Sequence, residues 1–324
     1  MADSADAKMT MPVSTAQPLY NRTTRKHPFY KTKWFHYHLM LLPLLILIGI
    51  FNIAPMFGIV LAFKTFNPSK GILGSPWAGL AHFQFVIQNP ESLIILKNTL
   101  IIAAMKISAG LVAPILFALM LNEIRVRWFK RSVQTLVYLP HFLSWVILAG
   151  IFRDIFGLEG IINQSLGKLF QMEPIMFLGS NDWFRPILVL TDTWKEFGFG
   201  TIIYLAALTS INPALYEAAD IDGASRWRKM RHITLPGIAT TIVVLATLSL
   251  NGVLNAGFDQ VFNMYNALVY DTGDIIDTYV YRMGLVSAQY EIATAIGLAK
   301  SIVSFILIAI TYGLAYRFAN YRIF

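Results

Sequence analysis

The sequence predicts an all-α integral membrane protein with six transmembrane helices. Three observations carry that prediction: 56% of the 324 residues are hydrophobic, only 14% are charged, and the apolar residues gather into six runs of spanning length. A soluble domain typically carries about 25% charge. The mean hydropathy of +0.56 agrees. The chain has no cysteine, which excludes disulfides and thiolate metal sites.

A spanning helix needs about 20 mostly apolar residues. The runs 39–63, 98–121, 132–152, 186–210, 237–258 and 292–316 meet that requirement. The third and fifth are free of charge; the second contains Lys106, the fourth Asp192, Lys195 and Glu196, and the sixth Lys300. Pro140 interrupts the third run, which predicts a kink or break near His141. The His141 side chain is expected to bond a neighbouring helix, with lining a path as the alternative.

Residues 1–27 are small and polar and are expected to be a disordered cytoplasmic tail. Without an apolar core or cleavage site, the N-terminal 38 residues are not expected to hold a removable signal peptide. Residues 28–38 interleave aromatics with lysines and histidines. This is the composition of an interfacial segment at the headgroup level. The remainder, 39–324, is expected to form one six-span domain.

Basic loops resist translocation, so their distribution sets orientation. With both termini placed in the cytoplasm, the cytoplasmic segments hold 16 basic residues and 6 acids, and the outer segments, counting Lys300, hold 8 and 10. The excess positive charge thus reports topology. It does not indicate nucleic acid or an anionic ligand. Asp271, Asp274 and Asp277 lack the EF-hand spacing and read as a solvated loop.

Charges inside spans are costly and usually face a bundle interior or a watery cavity. Asp192, Lys195 and Glu196 stand at i, i+3 and i+4 and share one helix face, with Asp192 about 10 Å below the outer end of its span. Read as a continuous helix, the fifth run aligns Asn251, Asn255 and Asp259 on one face, with Asn251 about 21 Å from the inner end. The two stripes lie at matching depth, and Trp145 and Trp194 supply flat apolar surfaces there. Amide and carboxylate hydrogen bonds beside aromatic faces suit a sugar, so these eight residues are the candidate substrate path. Pairing of the charges among themselves is the alternative. Lys106 and Lys300 are weaker candidates, because a lysine near a helix end can snorkel.

The stretch EAADIDGASRWRKMRHITLP, from Glu217 to Pro236, is the most charged segment between two apolar runs. Asn212 followed by Pro213 reads as an N-cap and first helical residue. Gly223 supplies a left-handed stop. Ser225 caps a second helix, expected to end by Leu235 because Pro236 disfavours helical angles in its predecessor. Glu217 and Asp220 form an acidic edge, Ala218 and Ala219 allow close approach, and Arg226, Arg228, Lys229 and Arg231 suit an anionic leaflet.

This segment resembles the EAA loop, here 211–236, of binding-protein-dependent ABC importer permeases. Glu217, Ala218, Ala219, Gly223, Ile233, Leu235 and Pro236 all stand in register with the motif. EAADIDGAS looks like the carbohydrate-uptake, maltose-permease-like branch. YLPHFLSWVILAGI and GIINQ are similar to permeases of oligosaccharide and polysaccharide importers, alginate-type systems included. The resemblance implies a type I importer permease fold in a bacterial inner membrane, a second homologous permease, two ATPase subunits and an extracytoplasmic solute-binding protein. It also implies that Glu217, Ala218, Ala219, Asp220, Asp222 and Gly223 form the coupling helix that meets the ATPase. No phosphate-loop motif occurs in the chain, so ATP and magnesium are expected on the partner ATPase and no cofactor on this subunit.

Two rivals remain within transport. An ion-coupled secondary transporter would use Asp192 and Glu196 but leaves the EAA loop unexplained, and an importer of the same type could carry a non-sugar solute. A membrane enzyme is a third reading, and its histidines are too scattered for a metal set.

Overall fold

The computed structural model describes residues 33–250 and 252–319. The tail at 1–27, part of the interfacial segment and Asn251 lie outside these residues. The chain forms two compact units, Met1–Met56 and Phe57–Phe324.

In the first unit, helix α1 (Lys33–Ile48) continues through a π-helical turn, Gly49–Ile53, and a further turn, Ala54–Met56. Met40 and Phe51 are largely exposed. An apolar surface of this kind is what a lipid-facing helix presents.

The second unit contains the remaining helices. Among the described residues of the whole chain, three runs are long and apolar enough to cross a membrane, Tyr37–Phe63, which begins in the first unit, Pro90–Glu123 and Tyr290–Ile310, and three bent pairs raise the number to as many as six. Helix α2 (Pro90–Glu123) starts well before the expected span, because Asn89 accepts from Glu91 N at 3.0 Å and Pro90 occupies the first position. That pairing is a favourable N-terminus. Helix α3 (Arg127–Tyr138) leads into a 3₁₀ turn at Leu139–Phe142. Helix α4 (Trp145–Phe156) then starts afresh, with Ser144 capping Ile147 N. The chain turns through 103° at this point, where Pro140 predicts a break. Helix α5 (Ile161–Phe170) follows.

Helix α6 (Asn181–Thr209) packs along α2 over much of its length. Close approach between α6 and α3 is built into the sequence at Gly198. A Cβ there would lie 2.2 Å from the Val137 carbonyl oxygen, so the helix backbones touch where no side chain intervenes. Helix α7 (Pro213–Ile221) departs from α6 by 69°.

Two expectations fail here. The helix after Ser225 does not end by Leu235: it runs Arg226–Lys229, then a π-helical turn Met230–Thr234, then Leu235–Gly237, with Leu235 at φ −64°, ψ −46°. The widened π turn changes the hydrogen-bond register ahead of Pro236, which lets Leu235 keep helical angles. The fifth run is not one helix either. Helix α8 (Ala239–Leu250) stops, the backbone at 252–257 is non-helical, Gly257 takes φ +88°, and helix α9 (Phe258–Met264) restarts. Helix α10 (Ile276–Tyr281) and the long α11 (Tyr290–Ala319) complete the unit.

Three buried apolar clusters hold these elements. Ile102, Leu148, Phe152, Phe184, Leu188 and Val261 join α2, α4, α6 and α9. Ile95, Leu254, Tyr279 and Ile296 join α2, α10 and α11. Ala118, Leu119, Tyr204, Leu208 and Ile238 form the third, which carries Met230 and Leu235 of the bent segment on its edge.

Candidate functional site

The segment 211–236 folds as its local chemistry dictates. Asn212 Oδ1 accepts from Ala214 N at 3.0 Å, and Pro213 opens the helix. Gly223 takes φ +68°, the left-handed conformation that glycine adopts without steric cost. Ala224 N then donates to Ala219 O at 2.9 Å. Beyond the turn, Lys229 pairs with Asp220 at 2.5 Å, and Tyr216 and Thr234 share a hydroxyl hydrogen bond of 2.9 Å. Lys229 therefore braces the turn and does not serve only as a surface charge. Glu217, Ala218, Asp220, Asp222 and Gly223 are exposed, and Ala219 is half-buried. A groove of about 400 Å³ runs beside them, lined by Ala219, Asp222, Ala224, Arg228 and His232. The result is an internally braced, exposed elbow with an acidic edge.

Of the described candidate path residues, Asp192, Trp194, Lys195 and Glu196 lie on α6 and Trp145 opens α4. Asp192 and Glu196 are one helical turn apart on α6, and each faces a lysine. Asp192 lies 3.4 Å from Lys106 of α2, and Glu196 lies 2.9 Å from Lys195. Glu196 also reaches His141 Nδ1 at 2.7 Å, and the His141 ring stacks flat on Phe199 at 4.0 Å. Lys195 sits 5.8 Å from the Trp145 ring centre, while Trp194 is exposed and meets Phe152 edge-on. Ion pairing thus engages both Asp192 and Glu196, though Asp192 with Lys106 of α2 and not with Lys195. His141 bonds its neighbouring helix as expected.

The fifth-run stripe is not present as drawn. Asn255 lies in the non-helical stretch and Asp259 in α9, so no helical periodicity aligns them, although both are exposed. Asn255 is instead a turn residue, its Oδ1 accepting from Gly257 N.

Two residues that sequence reasoning undervalued are central. Lys106 is buried, not snorkelling: its Nζ donates to Ala256 O at 2.7 Å and to Gln260 Oε1. Gln260, fully buried, donates onward to Leu188 O at 2.8 Å and Thr191 Oγ1 at 2.7 Å.

The segment 271–277 also departs from a solvated loop. Asp274 is buried and accepts from Arg282 at 2.6 Å, and Asp277 pairs with Lys300. Arg282 further bonds Glu91 at 2.9 Å and stacks on Tyr270 at 4.5 Å. Burial opposes its charge, but the bond and charge of Asp274 outweigh that and hold Arg282 above the ordinary arginine value. Burial also pushes nearby Tyr265 up to about 12.

Apolar spans, broken helices pinned by buried charges and an exposed acidic elbow define an integral membrane transport subunit. The chain belongs to the family of binding-protein-dependent transport system inner membrane components, which matches residues 110–320. It is 44% identical over 287 residues to the polygalacturonan/rhamnogalacturonan transport system permease protein YteP of Bacillus subtilis (strain 168), covering 89% of each chain. LplB of the same organism is 44% identical over 279 residues, 86% of this chain and 87% of LplB. Among solved structures, a bacterial ABC transporter involved in import of the acidic polysaccharide alginate matches with a TM-score of 0.81 and 40% identity, over 89% of this chain and 97% of that one. A bacterial alginate ABC transporter in complex with an alginate pentasaccharide-bound periplasmic protein matches with 0.79 and 39% identity, over 89% and 96%. The chain is an ABC transport permease of the type I fold.

Proposed function

We propose that this subunit forms half of the translocation path for an acidic oligosaccharide in an ATP-driven importer of a bacterial cytoplasmic membrane. One observation carries the substrate class. Near-full-length relatives at 44% and 40% identity bear the names of a polygalacturonan permease and an alginate importer, and both of those polymers are built from uronate sugars. A second homologous permease would complete the pore. Two ATPase chains would hold ATP and magnesium, and a solute-binding protein would deliver the sugar from outside.

The site chemistry supports this reading. Trp145 and Trp194 offer rings for stacking, and Asn255 and Asp259 offer exposed hydrogen-bonding groups; Asn251 belongs to the same set by sequence. Asp192 and Glu196 would repel a uronate if bare, but Lys106 and Lys195 neutralise them. With both termini and the 211–236 elbow in the cytoplasm, Glu217, Ala218, Ala219, Asp220, Asp222 and Gly223 face the ATPase. Nucleotide-driven closure of the ATPase then pushes the elbow and reorients the spans.

The test is uptake in proteoliposomes holding both permeases and the ATPases, with binding protein loaded with uronate oligosaccharides. ATP-dependent uptake of the uronate, with little uptake of a neutral oligosaccharide of equal length, is expected. Ion-gradient-driven sugar uptake by this chain alone would overturn the reading.

A further inference from the structure

Two helix breaks inside the membrane domain expose main-chain carbonyls, and each carbonyl is met by a buried lysine. At the first break, between the 3₁₀ turn Leu139–Phe142 and α4, the His141 carbonyl accepts from Lys195 Nζ at 2.7 Å. At the second, between α8 and α9, the Ala256 carbonyl accepts from Lys106 Nζ at 2.7 Å. A broken helix leaves its last carbonyls without intrahelical partners. Such a break is tolerated in lipid only where neighbouring groups satisfy them. Both lysines are less than a tenth exposed, so their charges also need partners, and both partners stand on α6: Asp192 for Lys106 and Glu196 for Lys195.

We propose that Lys106 and Lys195 are positioning residues that lock the two broken spans to helix α6, so that movement of α6 is transmitted to both breaks. The second break is built around its lysine. Gly257 takes φ +88°, and a Cβ there would come within 2.8 Å of Lys106 Nζ. Gln260 on α9 receives the same ammonium and hands its own amide to Leu188 O and Thr191 Oγ1 of α6. The first break has a matching second tie, since His141 bonds Glu196 at 2.7 Å. Helix α6 itself runs unbroken from Asn181 to Thr209 and, after the three residues 210–212, the chain bends by 69° into the elbow helix α7. About 26 Å of helix, at 1.5 Å per residue, separates Asp192 from Thr209. Buried ion pairs contribute little net stability against apolar replacements but are well suited to fixing one register of packed elements. That is the role the two pins perform. It concerns motion and not sugar chemistry, so it stands or falls separately from the substrate assignment.

The chain has no native cysteine, which allows paired spin labels. Leu248 and Leu268 are exposed on either side of the second break. In the assembled transporter without sugar, labels at these sites report the inter-label distance with and without ATP. We expect a narrow distribution that shifts as a unit with nucleotide. Lys106→Met should broaden it and uncouple it from nucleotide. Coupled uptake should fall about tenfold, as loss of a buried charged hydrogen bond implies, with sugar half-saturation within about twofold. Lys106→Arg, which keeps the charge, should restore most of the shift. A Lys106→Met transporter with the wild-type distribution and uptake overturns the proposal. So does one whose sole defect is a raised half-saturation, because Lys106 would then be a sugar contact. Should Lys106→Met fail to assemble, Asp192→Asn is measured with the same labels, and an unchanged distribution and uptake in that variant also overturns it. Labels at Leu136 and Val146, exposed on either side of the first break, apply the same test to Lys195→Met.

Discussion

Replacing Gly198 with alanine probes the α3–α6 contact with a single methyl group. The added Cβ would lie 2.2 Å from the Val137 carbonyl oxygen and 2.7 Å from Val137 Cγ1. Ordinary contact starts near 3.4 Å, so the helices must part by more than an ångström at that point. Glu196 and Lys195 stand two and three residues away, and their bonds to His141 are both 2.7 Å long; the same displacement carries them out of hydrogen-bonding range. The overpacking costs about 1–3 kcal/mol. Loss of two charge-assisted bonds adds about 1.5–3 kcal/mol each where they are not remade. The expected result is a lower thermal transition of the purified transporter and impaired coupled uptake. Gly150→Ala is the matched control, because nothing lies within 4 Å of the Cβ it would add; its transition should stay unchanged or rise slightly. A Gly198→Ala transporter as stable and active as wild type would refute the close helix contact and the role given to the bonds around it.

Other predictions follow from single sites. Glu217→Lys should abolish transport-coupled ATP hydrolysis with the protein still inserted, and hydrolysis that remains sugar-stimulated would remove Glu217 from the coupling surface. Gly223→Val meets no steric neighbour but forces a β-branched residue into φ +68°. The strain of about 1–2 kcal/mol should appear as weaker ATPase association in co-purification. Gln260→Leu leaves Lys106 and Thr191 short of partners in a buried site and should cost about 1–3 kcal/mol, read as a lowered thermal transition. Arg282→Gln strands buried Asp274 and should cost about 3–5 kcal/mol; the double variant Arg282→Gln with Asp274→Asn should recover part of that loss, and an equally stable single variant would dismiss the pair as structural.

The caps and the turn of the elbow were readable because they are local. Asn212, Pro213, Gly223 and Ser225 each act within four residues, and caps and left-handed turns depend on residue type more than on tertiary surroundings. The break at Pro140 was readable for the same reason. The polar network was not, because its partners are remote in sequence: Lys106 meets Ala256 and Gln260, and Asn98 bonds the backbone at Asp271. A lysine in an apolar run gives no sign of which carbonyl lies opposite. The break before α9 did carry a signal, since Gly252, Asn255 and Gly257 fall within six residues, a density typical of turns. The apolar average of that run concealed it. Pro236 misled in the other direction, because the π turn that accommodates it has no sequence signature of comparable strength.

The hydrogen bonds that shape the 212–234 elbow begin and end within it: Asn212 on Ala214, Lys229 on Asp220, Ser225 on Arg228, and Tyr216 with Thr234. Met230 and Leu235 anchor it to the rest of the domain through one apolar cluster. A piece with its own internal bracing and a greasy foot can be moved as a cassette. Grafting it onto a related permease with the cluster residues kept should transfer the choice of ATPase and leave the donor's solute preference behind.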